Sequence, residues 1–153
     1  MANTYSQLYN HFVFAVQNRD NLILPTWRDE LYKYMTGIIT NHGCKVIRIG
    51  GVEDHIHILI GMSVNISPAA LMAEVKRSST QWIKSNNFVK CRFSWQEGYG
   101  VFSYSRSAIP SVSKYIENQE AHHKKKSFRE EYIKMLQDFD VGYDEQYIFH
   151  PVL

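Results

Sequence analysis

The sequence predicts an α+β fold in which helices cover one face of an antiparallel sheet. Several short segments alternate apolar and polar residues, as half-buried strands do. Two longer segments repeat apolar residues at helical spacing. These segments follow one another as strand, helix, strand, strand, helix and strand, which is the order of a split βαβ sandwich.

The first half of the chain supplies a strand, a helix and a pair of strands. Residues 5–17 alternate in character and predict the first strand. We expect Thr26 to cap the first helix, with Asp29 completing a capping box, and His42-Gly43 to end it. Residues 44–50 and 54–61 predict two strands that turn at Gly50-Gly51.

The second half supplies the remaining elements. Ser67 and Pro68 predict the start of a helix that runs to about residue 84. Another strand or hairpin is expected over about 91–105. Ser107 is expected to cap a third helix through about residue 119, and Ser127 a fourth through about residue 136.

These elements predict one ferredoxin-like, or RRM-like, βαββαβ domain over residues 1–153. Its sandwich core would occupy about residues 5–105, and additional helices and a tail would occupy about residues 107–153. The chain has no repeat, low-complexity segment or linker that would indicate a second domain.

The composition indicates a globular protein of the cytoplasm. Hydrophobic residues make up 44% of the chain and charged residues 21%. Cys44 and Cys91 lack the spacing of a zinc cluster or a disulfide framework, so we expect a reducing compartment. No signal peptide and no segment long enough to cross a membrane is recognisable.

The charge distribution is compatible with a polyanionic partner. Residues 1–134 carry all 17 Lys and Arg but 11 of the 15 Asp and Glu, an excess of six positive charges. Lys76 and Arg77 on the second helix, and the run Lys124, Lys125 and Lys126, are candidate phosphate contacts. Basic runs of this kind are also common in solvated turns, so this signal is weak by itself.

His55 and His57 are candidate metal ligands. Alternate residues of a strand share one face, so both imidazoles point away from the core formed by the neighbouring isoleucines. Two imidazoles on one rigid face can bind one metal ion. The alternative is a pair of polar residues on a solvent face, and spacing alone does not exclude it.

Tyr115 and Gln119 lie one helical turn apart on the third predicted helix. Ile109, Val112 and Ile116 form the apolar stripe that would dock this helix. Tyr115 could therefore lie at the edge of the packed face, although an ordinary boundary tyrosine would show the same pattern. No Gly-rich phosphate loop, nucleophile elbow or zincin motif is present.

Together these segments resemble the single-tyrosine HUH transposases of small bacterial insertion sequences, the IS200-like family. The family pairs His-hydrophobic-His on a strand with Tyr-x-x-x-Gln on a later helix, which here are His55-Ile56-His57 and Tyr115 with Gln119. The phrases over residues 51–55, 93–100, 118–124 and 127–132 are similar as well, so the resemblance extends over about residues 5–147.

The resemblance implies a transposase that cleaves and rejoins single-stranded DNA at insertion-sequence ends through a 5′-phosphotyrosine. Tyr115 would be the nucleophile, and His55, His57 and Gln119 would hold Mg2+ or Mn2+. The resemblance also implies a homodimer whose active sites combine the tyrosine helix of one subunit with the histidines of the other, and a hairpin-bearing DNA partner. The acidic residues after Met135 favour an enzyme of an ordinary insertion sequence over relatives with a long basic extension.

Two other functions remain open from the residues. One is a non-catalytic single-stranded nucleic-acid-binding module on a ferredoxin-like sheet. The other is a metal-dependent hydrolase with water as its nucleophile, which we expect less because the chain offers few extra acidic ligands near the histidines.

Overall fold

The computed structural model describes residues 4–123, 126–144 and 148. Over these residues the strands are β1 (Tyr9–Ala15), β2 (Lys45–Val52), β3 (His55–Gly61) and β4 (Gly100–Ser103). The helices are α1 (Pro25–Asn41), α2 (Pro68–Ser85), α3 (Ile109–Glu117), α4 (Gln119–His123) and α5 (Phe128–Asp138). None of the described helices is long and apolar enough to cross a membrane.

The strands form one antiparallel sheet in the order β2-β3-β1-β4. Each helix of the βαβ units therefore connects two strands that are separated by a third strand lying between them. This is the topology of the ferredoxin-like sandwich, and it confirms the α+β fold class that the order of elements predicts.

Helices α1 and α2 cover one face of the sheet and enclose the main core. Ile56, Ile58 and Ile60 of β3 are fully buried in this layer, against Leu31 of α1 and Leu71 of α2. Trp95 belongs to the same core, where its indole N–H donates to the Ser79 hydroxyl at 2.9 Å.

The opposite face of the sheet is covered by α3 and α5. Ile116 of α3 packs on Leu59 of β3, and Phe128 of α5 packs in a second cluster with Val13 and Ala15 of β1. This face also carries the buried histidines, so its covering helices determine what those histidines meet.

Two of the predicted helix starts are confirmed. The Ser67 hydroxyl accepts a hydrogen bond from the Ala70 N–H at 3.0 Å, and the Ser127 hydroxyl accepts one from the Glu130 N–H at 3.2 Å. The apolar stripe of the third helix also docks as expected.

Two other helix starts are wrong. α1 begins at Pro25, not at a Thr26 cap, because proline with its fixed φ suits the first helical position and needs no N–H partner. Ser107 lies within a short 3-10 turn, and α3 begins only at Ile109. The third helix also stops at Asn118 and restarts as α4, since Asn118 adopts φ −96° and ψ 24°.

The predicted turn at Gly50-Gly51 is wrong as well. Both glycines lie inside β2, paired with His57 and Ile56, and the chain turns at Glu53 and Asp54. A Cβ on Gly50 would lie 2.5 Å from the Ile116 carbonyl oxygen. Gly50 is therefore present because α3 approaches the strand closely, not because the chain turns there.

Candidate active site

The centre of the site is the pair of histidines on β3. His55 and His57 lie on the same face, as the alternation predicts, and both are fully buried. Their ring centroids are 5.2 Å apart. They are therefore not on a solvent face, because α3, α4 and α5 cover them.

The tyrosine helix brings Tyr115 and Gln119 to these histidines in the same chain. The Tyr115 ring meets His57 edge-on, with centroids 5.8 Å apart. The Gln119 side-chain oxygen lies 3.2 Å from His55 Nε2, while its amide nitrogen donates to the Tyr115 carbonyl at 3.3 Å. The four signature residues thus converge, even though α3 and α4 are separate helices.

Two further side chains enter the cluster that the sequence signature does not contain. Glu131 of α5 places Oε1 3.1 Å from His57 Nε2, and its Oε2 accepts a hydrogen bond from the Tyr115 hydroxyl. His123 of α4 places Nε2 2.9 Å from the Gln119 oxygen and 3.4 Å from Glu131 Oε2. The scarcity of acidic residues around the histidines, expected from the sequence, is therefore wrong.

A sequence signal for Glu131 does exist. Glu131 follows Phe128 by three residues and precedes Tyr132, and all three are buried on one face of α5. A carboxylate on the apolar face of an amphipathic helix is unusual and indicates a specific buried partner.

Each histidine of β3 has a buried partner behind it. His55 Nδ1 lies 2.7 Å from an Asp54 carboxylate oxygen, and His57 Nδ1 lies 2.8 Å from Nε2 of His11 on β1. Both Nε2 atoms therefore face Gln119 and Glu131. Partners of this kind fix the orientation and tautomer of metal-binding imidazoles.

The surroundings shift the pKa values of these groups strongly. Burial lowers the pKa of His55 to about 4, against the opposing effect of its bond to Asp54. Burial alone would raise the pKa of Glu131, but hydrogen bonds from His123 and His57 outweigh it and hold that pKa well below the usual range. Burial and the neighbouring Glu131 carboxylate raise the pKa of Tyr115 above its usual value.

His122 adds an imidazole beside Tyr115. Its Nε2 lies 2.9 Å from Glu131 Oε2, an ion-pair distance, but the approach lacks hydrogen-bond geometry. Burial lowers the pKa of this half-exposed ring. His122 therefore lies close to the Glu131 carboxylate without forming a hydrogen bond to it.

The donor and acceptor pattern fits a bound cation. A neutral His55 keeps its proton on Nδ1 for Asp54, so its Nε2 presents a lone pair to the Gln119 oxygen. A neutral His123 that donates its Nδ1–H to the Lys126 carbonyl oxygen at 2.9 Å presents Nε2 as a second acceptor, 2.9 Å from the Gln119 oxygen. A positive charge placed between acceptors that face one another stabilises them.

The geometry is compatible with a metal. One ligand atom from each of His55, His57, His123 and Glu131 lies within 4.8 Å of the others. Ligands at about 2.1 Å from one metal lie roughly 3–4 Å apart, so small side-chain adjustments close this set. Imidazoles combined with a carboxylate and an amide oxygen suit Mn2+ or Zn2+ better than Mg2+.

A cavity of about 350 Å3 opens beside the tyrosine. Tyr115 and Glu131 form part of its wall, Tyr104 and Phe139 contribute apolar surface, and Lys126 lies among its lining residues. The cavity therefore gives a ligand access to Tyr115.

The basic residues proposed from the sequence are in different places. Lys76 and Arg77 lie on α2, across the sheet from the histidines. The Lys76 ammonium donates to the Gly98 carbonyl at 2.6 Å, and burial lowers its pKa to about 8, while Arg77 pairs with Glu74 at 2.7 Å. Lys124 and Lys125 lie outside the described residues.

The sequence itself matches a family model over residues 4–119, the model of transposases described as IS200 like. The chain belongs to the IS200-like transposase family. It is therefore a DNA transposase, as the two signature motifs indicate. No curated protein matches the chain in sequence.

Two solved structures are similar to this IS200-like transposase in fold. One is a protein of Deinococcus radiodurans R1 described as a candidate transposase, with a TM-score of 0.63 at 20% identity, over 76% of this chain and 94% of that one. The other is a REP-associated tyrosine transposase bound to a REP hairpin, with a TM-score of 0.61 at 14% identity, over 93% of this chain and 90% of that one. At these identities both support the ferredoxin-like fold.

Proposed function

We propose that this transposase cleaves and rejoins single-stranded DNA at insertion-sequence ends, with Tyr115 as nucleophile and a 5′-phosphotyrosine as intermediate. The observation that carries the proposal is the convergence of the Tyr115 hydroxyl, the two β3 histidines, Gln119 and Glu131 at one cavity. A packed structural core would not collect these groups beside a cavity.

In the proposed reaction the Tyr115 oxygen forms a bond to phosphorus while the bond from phosphorus to the 3′-oxygen breaks. The departing 3′-oxygen keeps the electron pair and takes up a proton, which leaves a free 3′-OH. Rejoining reverses these changes, with a 3′-OH attacking and Tyr115 leaving, so the phosphodiester energy is conserved in the tyrosine ester.

Glu131 is the group placed to take the tyrosine proton. The Tyr115 hydroxyl already donates to Glu131 Oε2. Because burial and the neighbouring Glu131 carboxylate raise the pKa of Tyr115, the proton is held in the resting site and leaves only as the new bond forms.

We propose His55, His57 and Gln119 as the ligands of a divalent metal, with Glu131 and His123 within reach of the same ion. Bound there, Mn2+ or Mg2+ would polarise the scissile phosphate and offset the charge that develops on it. The buried Asp54 and the covering helices keep the two imidazoles in place and limit the access of water.

The proposed DNA substrate is single-stranded and carries a hairpin. The support is the family, together with the REP hairpin bound by one structurally similar protein. Lys126 lines the Tyr115 cavity and is proposed to contact a phosphate near the reacting bond, whereas Lys134 in the same lining pairs with Asp138 at 2.7 Å. Lys76, Arg77, Lys124 and Lys125 stay proposals for contacts further along the strand.

The central test is a denaturing gel with labelled single strands from the DNA that flanks the gene. With Mn2+, the wild type should give a band shifted by the mass of the protein, and duplex DNA should give none. Tyr115→Phe should abolish the band while binding DNA normally, and Tyr104→Phe, which changes a neighbour in the same cavity, should retain it.

Other outcomes of this gel would refute the proposal. Cleavage without a protein adduct would indicate a metal-dependent hydrolase, a function made more plausible by Glu131 beside the histidines. Binding of the single strands without cleavage, with Mn2+ or with Mg2+, would indicate a non-catalytic single-stranded nucleic-acid-binding module.

We further propose that the transposase acts as a homodimer with shared sites. Under this proposal α3, which rests on a small apolar cluster centred on Leu59, Val112 and Ile116, undocks as a unit and docks on a partner. A mixture of Tyr115→Phe and His57→Ala chains tests this, because shared sites restore one intact site per mixed dimer. Inactivity of the mixture, with dimers verified by sedimentation, would show that each chain uses its own tyrosine.

A further inference from the structure

His11 is a buried imidazole that the family signature does not include. It lies on β1, on the face that carries Val13 and Ala15, and it is fully buried. Its Nε2 is 2.8 Å from His57 Nδ1, and its ring centroid is 5.0 Å from that of His57.

Packing alone does not explain a histidine at this position. The ring lies near the aromatic rings of Phe102 and Tyr104, at centroid distances of 6.4 and 6.0 Å. His11 Nδ1 is buried without a hydrogen-bond partner among the described residues. A leucine would fill such a place without leaving a buried polar atom unpaired. The imidazole therefore indicates a specific role for Nε2, the ring atom that does have a partner.

We propose that His11 is a positioning residue, whose Nε2 accepts the Nδ1–H of His57 and thereby holds His57 Nε2 free to bind the metal. The inference rests on the metal site of the proposed function. It assigns to His57 the kind of buried partner that Asp54 provides for His55.

The hydrogen-bond chain gives this contact two possible directions. Without a metal, His11 Nε2–H can donate to His57 Nδ1, and His57 Nε2–H can then donate to Glu131 Oε1 at 3.1 Å. In that arrangement His57 Nε2 carries a proton and cannot be a ligand.

Metal binding requires the reverse arrangement. His57 must carry its proton on Nδ1 and donate it to His11 Nε2, and a neutral His11 then carries its own proton on Nδ1. That proton occupies the atom of His11 that has no partner. The His11 ring is thus oriented to place Nε2 against His57, and this orientation leaves Nδ1 unpaired among the described residues.

Asp54 and His11 would act differently because one partner is charged and the other is neutral. A carboxylate can only accept from His55, so it fixes one tautomer at all times. The His11 imidazole can accept or donate, so it supports His57 both with and without the metal. The two β3 histidines would therefore differ in how firmly they present their ligand atoms.

The test compares His11→Leu with His11→Gln, by measuring Mn2+ affinity through the EPR signal of free Mn2+. Leucine removes the acceptor, and the affinity should fall by about 10–100-fold, the usual effect of losing such a partner. Glutamine offers an oxygen to the same His57 N–H and should recover much of the loss. Phe102→Leu changes a ring beside His11 without touching the acceptor and should bind Mn2+ like the wild type.

Thermal unfolding of each variant shows that it is folded, and the wild type provides a test without mutation. A long-range 1H-15N spectrum of the Zn2+-bound wild type should show His57 protonated on Nδ1 and His11 Nε2 unprotonated. The opposite tautomers, wild-type affinity in His11→Leu, or equal losses in the Leu and Gln variants would overturn the role of His11. Absence of metal binding by the wild type would overturn the metal site and this role together, whereas failure of the tyrosine adduct alone would leave both.

Discussion

Replacing Gly50 with alanine should slow DNA cleavage because it displaces the tyrosine helix. The new Cβ would lie 2.5 Å from the Ile116 carbonyl oxygen, whereas ordinary contacts begin at 3.4 Å. The strand and α3 must therefore separate by about 0.9 Å at a point one residue from Tyr115. Misplacement of a reacting group by about 1 Å can cost about 100-fold in rate.

The same overpacking should lower the free energy of unfolding by about 1–3 kcal/mol. In a chain of this size, each kcal/mol lost lowers the Tm by about 2–4 °C. The assay pairs the initial rate of adduct formation with a thermal unfolding curve. Gly37→Ala is the matched control, because its Cβ meets nothing within 4 Å on the exposed side of α1. It should raise Tm slightly and leave the rate unchanged. A Gly50→Ala enzyme with wild-type cleavage would refute the idea that this close approach positions Tyr115.

Three further predictions concern the polar groups. Glu131→Gln should weaken Mn2+ binding by about tenfold or more, measured by calorimetry, while exposed Glu130→Gln should leave it unchanged. In EDTA, the free energy of unfolding should fall as the pH drops from about 6.5 to 4. In this range the His55 imidazole takes up a proton in the unfolded chain, whereas burial keeps it neutral in the folded protein until about pH 4. The Tm of His55→Gln should therefore depend less on pH. Ser79→Ala should cost about 1–3 kcal/mol in chemical denaturation, since it leaves the buried Trp95 N–H unpaired.

Local patterns predicted the elements that depend on a short stretch of chain. The alternation through β3 placed His55 and His57 on one face, because a strand has a fixed period of two residues. Ser67 and Ser127 were identifiable as caps for the same reason, since a cap bonds to an N–H only three residues away.

The rest of the site depends on contacts between distant segments. Glu131 meets His57 across 74 residues, and His11 meets it across 46. Periodicity shows that such side chains face inward, but the partner depends on how α5 and β1 dock against β3. Similarly, Gly50 and Gly51 have the composition of a turn, and only the approach of α3 explains why they belong to a strand.

The buried polar groups are concentrated at one place, and this distribution itself argues for function. Seven described residues with polar or charged side chains are buried, and all but Ser79 belong to the cluster around His57. The six are His11, Asp54, His55, His57, Gln119 and Glu131. Burying so many polar and ionisable groups together opposes folding, and an apolar core of the same volume would serve stability as well or better. A domain that needed this layer only to hold α3 and α5 on the sheet could use residues like Leu59 and Phe128 throughout. The polar face that the helices cover therefore costs stability, and the proposed site for a metal and a phosphate accounts for that cost.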